Sequence, residues 1–102
     1  MTRGEVWLAE VGRKRRPVLI LTRPEVLDVR SLVTVAEVTT SVRGIAAEVK
    51  VDHEQVGLDR PSAINCDGLH TVSQRSLTSR VGAVDDRIMS RVCLAISYAL
   101  GC

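Results

Sequence analysis

Aromatic side chains are nearly missing from this chain, which has one Trp, one Tyr and no Phe in 102 residues. Any core must therefore be built from Val, Leu, Ile and Ala. The same shortage argues against a nucleic-acid surface that works by stacking successive bases on aromatic platforms. Cysteine is also scarce. Cys66, Cys93 and Cys102 are odd in number and widely spaced, which excludes a complete disulfide framework, and no CxxC occurs. With only His53 and His70 to join them, no metal site is expected, and Cys66 and Cys93 read as buried apolar side chains. No apolar run is long enough to span a membrane and no signal-peptide pattern is present, so a soluble cytoplasmic protein is expected. A Gly-rich phosphate loop, a catalytic carboxylate pair and a Ser-His-Asp pattern are all lacking.

What remains is an apolar, mildly basic chain. Apolar residues make up 45% of it, which argues against disorder. A chain of this length suits one domain over residues 1–102 and buries roughly two-thirds of its unfolded surface. The formal net charge is only +2, so any strongly basic surface must be local. It is concentrated in Arg13-Lys14-Arg15-Arg16, which runs directly into Pro17-Val18-Leu19-Ile20-Leu21-Thr22. Pro17 fixes its own φ and biases Arg16 towards extended backbone, making Arg16 the best-held cation of the four. The plain alternative is a solubilising turn between two strands.

Short strands dominate the pattern. Residues 4–10 alternate weakly, with Val6 and Leu8 on one face and Trp7 and Ala9 on the other. A turn is expected at Val11-Gly12. Residues 18–22 are apolar on both faces, as in a central strand. Pro24 ends that run, and residues 25–31 form a connection with room for a helical turn. Residues 32–38 are rich in β-branched side chains and predict a third strand. Ala47, Val49 and Val51 alternate with Glu48, Lys50 and Asp52, as in a half-exposed strand. A polar loop over 52–61 leads to a short strand at 62–66. Asp67-Gly68 then predicts a tight hairpin turn with a returning strand at 69–72. After a turn at 73–76 comes a last strand at 79–84.

The period then changes from two to helical. Ile88, Val92, Ala95, Ile96 and Ala99 share one face, Asp85 is a good N-cap and Gly101 a natural stop, predicting a helix over 85–100. Its apolar face would dock on the sheet or on a second subunit. Six or seven short strands and one terminal helix give a mainly β fold, a small barrel that removes its own edges.

Two places gather chemistry-bearing side chains. Arg16 opens the second strand, and Thr39-Thr40-Ser41, followed by Arg43, closes the third. If these strands are antiparallel neighbours, Arg16 and Thr39 meet at one rim. A guanidinium beside hydroxyls and loop N–H groups suits a phosphate, and held rigidly it can favour a phosphorane-like transition state. Each piece also has an ordinary reading: a Thr pair as turn chemistry, Arg43 as a solvated loop residue, His53 and His70 as surface residues, Glu37 as a half-buried structural carboxylate.

Four ordered segments resemble the MazF/PemK family of bacterial toxin endoribonucleases. They are Arg3-Gly4-Glu5-Val6-Trp7-Leu8-Ala9, Arg15-Arg16-Pro17-Val18-Leu19-Ile20-Leu21, Val38-Thr39-Thr40-Ser41, and Leu77-Thr78-Ser79-Arg80-Val81-Gly82 with the helix after it. The resemblance implies an SH3-like barrel with a C-terminal helix, working as a homodimer. It implies metal-independent, cofactor-free cleavage of single-stranded RNA by 2′-OH attack, leaving a 2′,3′-cyclic phosphate and a 5′-OH. It places Arg16 and Thr39 as the catalytic pair and Arg43 where several members carry a basic substrate-contacting residue; Arg13, Lys14 and Arg15 of the basic run, Thr40, Ser41, Asp67 and His70 are the further candidate RNA contacts. It also implies a MazE-like antitoxin whose acidic tail lies over the RNA groove. The chain departs from the family pattern in a short first loop and in Asp67-Gly68-Leu69-His70, where many members carry a Gln. Both departures imply an unusual RNA preference, with structured transfer or ribosomal RNA among the possible targets. A gyrase-inhibiting toxin on the same fold and an RNA-binding barrel without turnover are the alternatives.

Overall fold

The apolar stretch from Val18 to Ile20 lies inside a six-stranded antiparallel sheet and is buried on both faces. A computed structural model describes residues 1–11 and 13–102; the turn expected at Val11-Gly12 falls on Gly12, outside them. The strands are β1 (Glu5–Val11), β2 (Lys14–Ile20), β3 (Leu32–Thr39), β4 (Glu48–Val51), β5 (Ser62–Ser73) and β6 (Leu77–Ala83). They lie in the order β4-β5-β3-β2-β1-β6. One turn of helix, α1 (Pro24–Leu27), follows β2, and α2 (Asp86–Leu100) ends the fold. Strand β2 starts at Lys14 rather than Val18, so three of the four clustered cations sit on strand backbone and alternate between faces.

That alternation builds two cores. Leu19 joins Val6, Ala36, Val38, Ile64 and Cys66 on one face, which α2 covers with Val92 and Ala95. Val18 and Ile20 join Ala9, Val33, Val35 and Leu77 on the other, which α1 covers with Leu27. Asp85 caps α2, its carboxylate accepting the Ile88 N–H at 2.9 Å, and Gly101 ends it in the left-handed region at φ 74°. Among the described residues no helix is long and apolar enough to cross a membrane.

Three expectations need correction. The first concerns the Asp67-Gly68 turn. Both segments flanking it pair with β3, so the chain runs straight on as one 12-residue strand. Pairing jumps from Ala36↔Leu69 to Glu37↔Asn65, leaving Cys66, Asp67 and Gly68 as the extra residues of a bulge. Gly68 leaves the Glu37 carboxylate its place, since a Cβ there would displace Oε2, the free end of that side chain. The second concerns only how the sheet ends; the mainly β, barrel-like fold with its C-terminal helix stands as expected. The edge strands β4 and β6 do not pair; the loop leaving β4 lies across β6 instead. Gly57 faces the Val81 carbonyl and Gly82 the Val56 carbonyl at distances no side chain tolerates. The third concerns cysteine. Cys66 is buried, and burial, with smaller contributions from Asp67 and Cys93, pushes its thiol up to about 11. Cys93 is exposed on α2, where Arg3 Nη2 donates to its sulfur at 3.2 Å.

Candidate active site

Strands β2 and β3 are antiparallel neighbours, with Val18 facing Glu37. Continuing that register by two places sets Arg16 across from Thr39, and both line one concavity of about 640 Å³. Leu8, Pro17, Val38 and Val81 give it an apolar floor. Thr40 and Ser41 extend one wall, and residues 57–60 of the loop across β6 form the other.

Strand alternation separates the adjacent cations. Arg15 turns the other way and pairs with Glu10 at 3.5 Å. Among the described residues no carboxylate lies within 4 Å of the Arg16 guanidinium, so its charge is uncompensated. Thr39 Oγ1 accepts the Ser41 N–H at 3.0 Å, which orients the hydroxyl and leaves its proton to be donated.

Two further concavities adjoin the first. One of about 330 Å³ adds Arg43, Glu37 and Asn65 to Arg16, Thr39 and Ser41. Another of about 210 Å³ has an apolar floor of Ala9, Val18, Val35 and Val72, with Lys14, Arg16, Glu37 and His70 at its rim. Among the described residues, Arg16 is the one common to all three. They form a trough with a guanidinium at its junction, lined along its length by Lys14, Arg43 and Arg60. Such a line of cations with an apolar floor suits a polyanion carrying flat apolar groups.

The Arg43 segment is held from below. Glu48 Oε1 accepts the backbone N–H groups of Arg43 and Gly44 at 2.8 and 3.0 Å, and Oε2 pairs with Arg43 Nε at 3.1 Å. Burial would raise the Glu48 carboxyl, but the bonds from Arg43 and Gly44 outweigh it and hold the group below the ordinary carboxylate value. A lowered carboxyl stabilises the fold above its unfolded value, and that support is lost as pH falls through the folded one. The Glu48→Gln protein is expected to exchange the Arg43 and Gly44 amide protons about tenfold faster at neutral pH, since it loses charge-assisted bonds. Unchanged exchange would show that the segment is held by something else.

Of the residues singled out in the sequence, Arg16, Thr39, Thr40, Ser41, Arg43, Lys14 and His70 come together in the trough. Arg13, Arg15, Asp67 and His53 line none of its three parts. Sequence reasoning missed Asp59, Arg60 and Asn65, and Glu37 as a wall rather than a structural carboxylate. Arg60 did carry a signal: Arg60-Pro61 opens β5 as Arg16-Pro17 sits on β2, an Arg-Pro pair entering a buried strand.

The likenesses to known proteins span nearly the whole chain. Residues 2–100 match the family model of the PemK-like, MazF-like toxins of type II toxin–antitoxin systems. A probable endoribonuclease MazF5 of Mycobacterium tuberculosis is 38% identical over 103 residues, covering 98% of this chain and 93% of that protein. Endoribonuclease MazF3 of the same organism is 48% identical over 69 residues, 68% of this chain and 66% of the relative. Among solved structures, the Mycobacterium tuberculosis toxin MazF-mt6 superposes with a TM-score of 0.89 at 37% identity, covering 95% of this chain and 96% of that one. An endoribonuclease in complex with its cognate antitoxin, from a mycobacterial species, superposes at 0.90 with 25% identity, covering 99% of this chain and 95% of that one.

Proposed function

The chain belongs to the PemK-like, MazF-like toxins of type II toxin–antitoxin systems, and from that premise we propose that it is an endoribonuclease that cuts single-stranded RNA in the Arg16 trough. The observation that carries this reading is the position of Arg16, uncompensated and shared by all three concavities, with the Thr39 hydroxyl across from it. A scissile phosphate seated there meets a forked cation and a hydroxyl donor. In the reaction the ribose 2′-oxygen attacks the adjacent phosphorus and the 5′-oxygen leaves. Negative charge grows on the non-bridging oxygens as phosphorus becomes five-coordinate, and donors already in place stabilise that charge without reorganising. Arg16 supplies the charge and Thr39 a directed hydrogen bond. Lys14, Arg43 and Arg60 hold neighbouring phosphates, and Thr40 and Ser41 line the path between them. None of these steps calls on a metal or a cofactor.

As a toxin the protein is one domain that acts in the cytoplasm as a homodimer. Its partner is an antitoxin whose acidic tail lies along the trough in place of RNA. The structural neighbour in complex with its cognate antitoxin and the four trough cations support this reading. A gyrase-inhibiting toxin is less favoured, because the related chains are named endoribonucleases.

The test is cleavage of a long mixed RNA in excess EDTA, with the new 5′ ends mapped and offered to a kinase. Discrete cuts whose 5′ ends accept phosphate without prior phosphatase treatment are expected. Cuts that vanish with EDTA would overturn the metal-free reading, and no cuts under any condition would overturn the enzyme.

A further inference from the structure

The roles given to Arg16 and Thr39 leave the 2′-OH proton without an acceptor. Attack by a 2′-OH needs one, yet an arginine stays protonated and a threonine hydroxyl is not basic. Resting on the endoribonuclease reading, we propose that His70, positioned by Glu37, accepts the 2′-OH proton.

The two side chains come from different strands. His70 on β5 pairs with Val35 on β3, and Glu37 lies two residues further along β3 on the same face. His70 Nε2 and Glu37 Oε1 are 3.0 Å apart across a sequence separation of 33. An ionised carboxylate can only accept, so Nε2 carries the hydrogen of this bond and Nδ1 keeps the free lone pair. The bulge makes the arrangement possible. Its Gly68 is the residue whose missing side chain leaves room for Glu37 Oε2, and bulges of this kind re-aim side chains beside active sites.

The pair stands where the chemistry needs it. His70, Glu37 and Arg16 share the rim of the 210 Å³ concavity, over the floor of Ala9, Val18, Val35 and Val72. Thr39 lies with Arg16 in the other two concavities and is absent from this one. A phosphate on Arg16 therefore has His70 towards one part of the trough and Thr39 towards the other. The base thus stands beside the bound phosphate without competing with Thr39 for its non-bridging oxygens. The 2′-OH proton passes to Nδ1 as the O2′–P bond forms. The P–O5′ bond breaks, its electron pair leaves on O5′, and water protonates that oxygen. The imidazolium then returns its proton to solvent. The charged groups that share this concavity with His70 are Glu37 from β3 and Lys14 and Arg16 from β2; among the described residues β1 contributes Ala9 to it.

The experiment compares wild type, His70→Gln and Glu37→Gln on one mapped cleavage site, measuring kcat and KM separately from pH 5 to 9. His70→Gln is expected to lower kcat about 10²-fold with little change in KM, and to flatten the acid limb of the pH–rate profile. Added imidazole is expected to restore part of its rate. Glu37→Gln is expected to lower kcat less than His70→Gln does and to keep the acid limb, because the imidazole remains but loses the partner that orients it. His70→Gln with the wild-type rate and profile overturns the proposal while leaving the endoribonuclease reading intact. A slow His70→Gln enzyme with an unchanged acid limb and no imidazole rescue also overturns it, reducing His70 to an RNA contact. A wild type that cuts no RNA overturns both.

Discussion

Arg16→Ala protein is expected to cleave RNA on the order of 10²–10³-fold more slowly than wild type, as measured by single-turnover rates at saturating enzyme. The magnitude is that for removing one preorganised donor from the place where transition-state charge develops. On the proposed mechanism the loss falls on the chemical step, because the guanidinium there binds the five-coordinate phosphorus more tightly than the ground-state diester. Affinity changes less, since Lys14, Arg43 and Arg60 remain along the trough. Arg16→Lys is expected to recover only part of the rate, because an ammonium restores the charge but not the two parallel N–H groups of the fork. Folding is not at stake. Arg16 is exposed and makes no ion pair among the described residues, so the melting temperature is expected to stay within a degree or two of wild type. An Arg16→Ala enzyme cutting within threefold of the wild-type rate would remove Arg16 from the chemistry.

The largest purely steric effect of a single added methyl group is expected at Gly82. A Cβ at this position would lie 2.2 Å from the Val56 carbonyl oxygen and 2.7 Å from its carbon. Both atoms are backbone, so no rotamer change relieves the contact, and the loop over 52–58 must move away from β6. Overpacking of this kind costs about 1–3 kcal/mol. For a chain of this size each 1 kcal/mol lowers the midpoint by about 4–8 °C, so Gly82→Ala is expected to melt roughly 5–20 °C below wild type. Gly82 has no positive φ, so the effect is steric and not a backbone preference. The same movement displaces residues 57–60, one wall of the concavity shared by Arg16 and Thr39, and activity should fall together with stability. A midpoint within 2 °C of wild type would mean that the loop is not packed on β6 in solution.

Gly82 also marks where sequence reading stops. Its sequence neighbours identify a strand, and nothing near it says that a loop 25 residues earlier will lie on it. Local chemistry did determine much of the rest. Pro17, the apolar run after it and the β-branched residues of 32–38 placed the two strands that carry Arg16 and Thr39. Asp85 and Gly101 placed both ends of α2, because capping is settled within one turn of chain. The Asp67-Gly68 dipeptide misled for a related reason. Its turn preference is local, but whether the chain reverses there depends on which strand its two flanks join, and both join β3.

The sequence by itself thus determined the elements, the Arg16–Thr39 pairing once neighbouring strands were taken as antiparallel, and the four segments that mark the family. Tertiary structure alone decided which cations face the trough, how the open edges of the sheet are covered, and that His70 meets Glu37. These depend on strand register and on the approach of chain segments distant in sequence, and a shift of one residue in register would exchange Arg16 for Arg15 at the site.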